Sequence, residues 1–320
     1  MAKGSSISSK KMIKKRATEF WNSESIWANL ENIEQDNIKI RKFIEHEYDI
    51  IPEKERIGKG SVYIAYAVAA AGSSILTKRG GDYYAHIVKL FEYGNELNRK
   101  KDNISKQIHC INLAIAFMGE YASLSKSNAI KSLKKAKSWA NHDDWKVREM
   151  SGRILRKCLK KFPKITLYAM KKWIQSDNEN IRRIVTESAR PLANIKWLRD
   201  PKKNDEVIEI LDCLKSDSSS YVRKSVGNNL KDLSKYMPKK IIKLVKRWID
   251  NAGIEVVDDL SSKNKSELGI DNYYLVWTIK HALRWLRKNN PEFKTQLQDI
   301  LGENYVLYFD EKRNKLAIPK

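Results

Sequence analysis

One short phrase recurs along this chain and leaves few folds open to it. In the stretch 176–238, Ser176-Asp177 leads after a few polar residues into Ile181-Arg182, and Ser216-Asp217 leads likewise into Val222-Arg223. Upstream, Asp143 leads into Val147-Arg148; downstream, Thr278-Ile279-Lys280-His281-Ala282-Leu283 reads as a degenerate fourth copy. Counted from the Val or Ile, the steps are 34, 41 and 57 residues. A second mark keeps the same phase. Trp139, Trp173 and Trp248 each close a Lys-rich apolar run, and Cys213 takes the equivalent place four residues before Asp217.

Drifting periods of this size, with helical patterning inside each unit, are the signature of stacked helix pairs. Each unit reads as a helix ending near Trp, a polar turn carrying Asp, and a second helix opening on Val/Ile-Arg. The Asp suits an N-cap, because its carboxylate can accept from the free N–H groups of the next helix. Pro163, Pro238 and Pro291 follow the second helices, where proline stops one helix or starts another. The expected fold is all-α, a right-handed α-solenoid of HEAT-like helix pairs.

The rest of the chain divides around these repeats. Residues 1–17 hold six Lys/Arg and no acid and read as a basic flexible arm. Residues 18–125 read as the N-terminal helical part of the solenoid, including a small-residue helix at 61–76 whose alanines permit close helix approach. The HEAT-like repeats span 126–291 and carry an irregular polar insert at 252–272. The tail, 292–320, alternates weakly, and its pattern leaves a short strand pair and a loose end both open.

Charge narrows the function. The chain has 62 Lys and Arg against 39 Asp and Glu, a net charge of +23. A surplus of that size in a folded chain argues for a polyanion, most often nucleic acid; charge kept for solubility is the alternative. The most apolar run, Val62 to Ala71, is too short to span a bilayer, so no membrane role is expected. Cys110, Cys158 and Cys213 are odd in number and far apart, and the five histidines are scattered, so no metal cage is legible. The expected compartment is the bacterial cytosol or nucleoid, with reduced, mostly buried thiols.

Chemistry is legible in the second helices. Glu149, Glu187 and Asp232 stand there in successive units, where residues of adjacent repeats can converge on one face. Each is either a solvated or Arg-paired helix residue, or a carboxylate kept in a basic groove for a reason other than DNA affinity. In the third unit Ser225, Asn228, Asn229 and Asp232 form a polar stripe apart from the apolar one. Gly227-Asn228-Asn229 are poor helix formers in mid-helix, each costing on the order of 0.5–1 kcal/mol relative to Ala. Such a break of local preference marks a site or a close contact.

The runs NIRRIVTESARP, YVRKSVGNNLKDLSKYMP and TIKHALRWLRKNNP resemble the AlkC/AlkD DNA alkylation repair glycosylases, nearest the AlkC branch. The similarity covers about 140–291. It implies a glycosylase that removes cationic N-alkylated bases, of the 3-methyladenine or 3-methylcytosine type, from double-stranded DNA as a monomer without a cofactor. It implies Glu187, Asp232 and Glu149 as catalytic carboxylates, with Arg190 and Trp197 against the lesion. Trp197 follows PLANIK, slightly later than the family places its tryptophan. Arg148, Arg182, Arg183, Arg223, Lys224, Asn228, Lys280 and His281 are the expected DNA contacts. A non-catalytic HEAT-repeat protein recognising bent or branched DNA is the alternative.

Overall fold

The computed structural model describes residues 7–23, 25–99, 104–191, 195–254, 269–289 and 291–301, and every regular element among them is a helix. The chain forms two compact units, Met1–Phe162 and Pro163–Lys320. No single helix among the described residues is long and apolar enough to cross a membrane.

The first unit contains α1 (Lys10–Ser23), α2 (Ile33–Asp49), the single turn α3 (Arg56–Lys59), α4 (Ser61–Arg79), α5 (Tyr84–Arg99), α6 (Ile104–Ala122), α7 (Lys126–Trp139) and α8 (Trp145–Lys161). α6 lies at its centre, packed against α4, α5, α7 and α8. The small-residue helix is α4, and it does bring backbones close. A Cβ on Gly72 would lie 2.6 Å from Phe117 Cζ and 2.7 Å from Trp21 Cε2. Trp21, Trp27 and Phe117 meet there as an aromatic cluster. Residues 10–17 of the flexible arm expected for 1–17 are helical instead, and residues 1–6 lie outside the described residues. Lys10 already opens α1, and Ile13, Ala17 and Trp21 are buried along one stripe. Six cations hid a helical spacing of four, and Arg16 pairs with the buried Glu47 at 2.6 Å.

The second unit contains α9 (Pro163–Trp173), α10 (Glu179–Ser188), α11 (Asp205–Cys213), α12 (Ser220–Ser234), α13 (Pro238–Ala252), α14 (Ile270–Asn289) and α15 (Lys294–Leu301). The prolines start elements rather than stop them: Pro163 opens α9, Pro238 opens α13 and Pro291 opens a 3-10 turn. α7, α9 and α11 end on Trp139, Trp173 and Cys213, whereas α13 runs past Trp248 to Ala252. Cys110 and Cys158 are buried and Cys213 is exposed. Most of the insert, 255–268, and the tail beyond 301 lie outside the described residues.

The repeated phrase has a physical basis that differs from the expected one. Arg148 donates through Nη1 to the carbonyls of His142 and Asp143, both at 2.8 Å. Arg182 does the same to Ser176 (2.7 Å) and Asp177 (2.9 Å), and Arg223 to Asp217 and Ser218. Each arginine thus closes the turn before its own helix, using carbonyls five and six residues back. The N-caps are not the Asp of the phrase but the residue just outside each helix: Asp144, Asn178 and Ser219. Asp217 serves a different purpose, accepting Arg182 Nε at 2.6 Å and Nη2 at 2.9 Å, which ties one repeat to the next.

α12 packs most extensively against α14. A Cβ on Gly227 would sit 2.7 Å from His281 Cδ2 and 2.8 Å from its Cβ, so this glycine sets the helix spacing. Gly227→Ala is expected to lower stability by about 1–3 kcal/mol through overpacking. Arg182→Ala, which strands Asp217 and two turn carbonyls, is expected to cost about 3 kcal/mol. Denaturant unfolding of each variant beside the parent checks both.

Candidate active site

The site begins with a helix that stops early. Pro191 disfavours helical geometry in the residue before it, and α10 ends at Ser188 with Ala189 as its C-cap. Arg190 therefore stands just past the helix, and its guanidinium reaches across to α12. Its Nη2 donates to Asp232 Oδ2 at 2.5 Å and its Nε to the same oxygen at 3.1 Å, while Nη1 donates to Glu187 Oε2 at 3.2 Å. One arginine thus holds both carboxylates.

Each carboxylate is also held from its other oxygen. Ser225 Oγ donates to Glu187 Oε1 at 2.7 Å and accepts from Thr186 Oγ1 at 2.6 Å. Asn229 Nδ2 donates to the Thr186 carbonyl at 2.9 Å. Arg183 Nη2 lies 3.5 Å from Glu187 Oε1. Around Asp232 Oδ1 stand Lys235 Nζ at 3.1 Å and Lys231 Nζ at 3.2 Å. Two acids face four cations, so the cluster carries a surplus of positive charge.

Burial opposes ionisation of Asp232, but the hydrogen bonds and charge of Arg190, with Lys235 and Lys231, outweigh it and hold the carboxyl below its usual range. Burial likewise opposes the charge on Arg190, and its bonds to Asp232 and the field of Glu187 overcome it. For Lys231 burial wins and its pKa falls. Asp232 is therefore an anion at neutral pH, suited to stabilising positive charge and unsuited to donating a proton.

The remaining expected residues divide sharply. Glu149 lies half-exposed on α8, in the first unit. It follows the clamp arginine directly, the place that Arg183 and Lys224 hold in the next repeats; Glu187 stands four residues later. Arg148, Arg182 and Arg223, expected on phosphates, are spent on turn carbonyls, and Arg223 is also stacked on Tyr274 at 3.7 Å. Lys280 occupies the clamp position of the fourth copy and is only 4% exposed. Arg183 lies over the Tyr221 ring and donates to the Tyr221 carbonyl at 2.8 Å. Asn228 accepts from Arg284, with His281 beside it, so neither Asn228 nor His281 is a free surface group. Lys224 is exposed.

Trp197 sits half-buried in the 3-10 turn Lys196–Arg199, and its buried indole N–H has no acceptor among the described residues. The turn is pinned by Arg199 Nε to the Pro191 carbonyl and by Asn204 Nδ2 to the Leu198 carbonyl, each at 3.1 Å. Residues 192–194 of its loop lie outside the described residues. Sequence reasoning missed Thr186, Lys231, Lys235 and Arg284. Lys235 was findable, three residues after Asp232 at the C-cap of α12; Lys231, adjacent in sequence, and Arg284, which comes from α14, were not.

The depressed pKa of Asp232 fixes a sign. Its ion pairs contribute stability above the unfolded carboxyl value of about 3.9, and that contribution disappears as pH falls through the lower folded value. The stability gap between the parent and Asp232→Asn is expected to be present at pH 6 and to close in strong acid. Unfolding midpoints across that range measure it, and a pH-independent gap would contradict the ion-pair account.

A model of the family described as DNA alkylation repair enzyme matches residues 107–268, slightly more than half of the chain. The uncharacterized protein YhaZ of Bacillus subtilis (strain 168) is 33% identical over 124 residues, 38% of this chain; the match spans only 29% of that relative's length. The alkylpurine DNA glycosylase AlkC of Pseudomonas fluorescens, solved bound to DNA containing an abasic site analog, superposes with a TM-score of 0.50 at 21% identity, over 89% of this chain and 67% of that one. AlkD2 of Streptococcus mutans gives 0.48 at 21% identity, over 78% of this chain and 97% of that one. The α-solenoid fold expected from the repeats is thus shared with AlkC, and Glu187, Arg190 and Asp232 all fall inside the matched family segment. The chain belongs to the DNA alkylation repair enzyme family.

Proposed function

We propose that this chain is a DNA N-glycosylase acting on double-stranded DNA that contains cationic N-alkylated bases, as a monomer in the bacterial cytosol. The observation that carries the reading is the Glu187–Arg190–Asp232 cluster: two carboxylates bridged by one arginine in a basic region of the family segment. A base alkylated on a ring nitrogen is already positive and leaves readily, so the barrier lies in charge developing at C1′, as in glycoside hydrolysis. A fixed carboxylate stabilises that charge and orients the attacking water. Asp232 fits the electrostatic role because its charge persists well below neutral pH. Glu187, held by Ser225 at 2.7 Å, fits the water-positioning role. Trp197 is the group for the lesion, since an indole face attracts a cationic base. The positive charge of the substrate does the work a cofactor would otherwise supply. Bases of the 3-methyladenine or 3-methylcytosine type satisfy this chemistry.

A second reading draws on the same contacts. Arg190 neutralises both acids, which is also what a purely structural network does, and then the protein is a DNA-binding solenoid without catalysis. Base release from methylated genomic DNA separates the two. Glu187→Gln and Asp232→Asn are each expected to reduce release by about 10²–10⁴-fold, with duplex affinity retained. Undiminished release by either variant would remove that residue from the mechanism, and tight, salt-sensitive binding without release by the parent would select the second reading.

A further inference from the structure

The seam between α12 and α14 holds a cation that the carboxylate cluster does not use. Arg284 Nη2 donates to Asn228 Oδ1 at 2.5 Å. Arg284 Nη1 lies 2.7 Å from His281 Nε2 and 3.1 Å from its Nδ1, so with the ring proton on Nδ1 the unprotonated Nε2 accepts from Nη1. His281 is fixed in turn: its ring lies parallel to Trp277 at 5.2 Å, and Gly227 admits it against α12. Burial, then the charges of Arg284, Lys231 and Lys224, push the His281 pKa down to about 3, so it stays a neutral acceptor. Both partners of Arg284 are therefore uncharged, and the guanidinium makes no ion pair among the described residues. Burial lowers its own pKa, with Asp232 the acid and Arg190 the cation that bear on it.

A half-buried, unpaired guanidinium costs free energy unless an anion completes it. Asp232 is already engaged by Arg190, Lys231 and Lys235. Lys224 is exposed and likewise makes no ion pair among the described residues. What remains open is an oriented fork with Lys231 near it and Lys224 near its partner His281, a set of cations that suits a phosphate.

We propose that Arg284, aimed by neutral His281 and Asn228, with Lys231 near it and Lys224 near His281, is a binding site for one backbone phosphodiester of duplex DNA. The site rests on the glycosylase reading for its place beside Asp232, and it names a phosphate contact contributed by α14 rather than by the repeated Val/Ile-Arg phrase. Binding here registers the duplex against the carboxylates without reading a base.

The test is binding of the full chain to an undamaged duplex over a range of KCl, which needs no catalysis. Each phosphate contact contributes about 0.9 to the slope of log affinity against log salt. Arg284→Met is expected to weaken binding and to reduce that slope by about 0.9. Lys224→Met, at an exposed position, is expected to reduce the slope in the same way and carries the test if Arg284→Met does not fold. Lys246→Met, which removes an exposed lysine of α13, is expected to leave the slope unchanged. A slope unaltered in both test variants, or altered equally by Lys246→Met, would overturn the site. A parent that binds with this slope pattern but releases no base would sink the glycosylase reading and leave the phosphate site standing.

Discussion

The structure depends on how a guanidinium satisfies turn carbonyls. A chain of short helices has many ends, and each end exposes backbone groups that lose water when repeats pack. Arg148, Arg182 and Arg223 answer this locally, each reaching back five and six residues to two carbonyls of its own turn. The contact fixes the angle at which the second helix leaves the turn. In one place it does more, because Asp217 takes the two remaining donors of Arg182 and couples consecutive repeats. The site inherits its geometry from this: α10 and α12 are the helices so fixed, and Glu187 and Asp232 stand on their facing sides.

This explains how the phrase was legible while its purpose was not. Periodicity and the Val/Ile-Arg opening identified helix pairs correctly, since apolar spacing survives any detail of the turn. The Asp and Arg of the phrase were assigned from residue type, which carries no direction. An arginine at a helix start can point outward to a phosphate or backward to a carbonyl, and only the turn geometry decides. The same limit acted on residues 10–17, where lysine count outweighed the spacing of Ile13, Ala17 and Trp21.

The break in helix preference at Gly227-Asn228-Asn229 coincides with a close helix contact. Gly227 makes room for α14. Asn228 faces Arg284 and His281, and Asn229 faces the Thr186 carbonyl of α10. Gly227 and Asn228 thus address α14 while Asn229 addresses α10, which a helix permits because successive side chains point about 100° apart. No single-sequence pattern names those neighbours. Arg284 belongs to a helix that reads as an ordinary amphipathic one.

The surplus of cations around two acids bears on the proposed chemistry. With Arg190, Lys231 and Lys235 on Asp232, the free protein offers a screened carboxylate, a weak stabiliser of positive charge at C1′. On the proposed reading, bound duplex changes that balance. Backbone phosphates compete for the lysines, and exclusion of water strengthens whatever field remains. On the same reading Arg190, which bonds both Glu187 and Asp232, keeps the two carboxylates together while the lysines turn to DNA. On the proposed reading the basic residues then have two tasks: they attract the duplex, and by being drawn to it they expose the negative charge that the reaction needs.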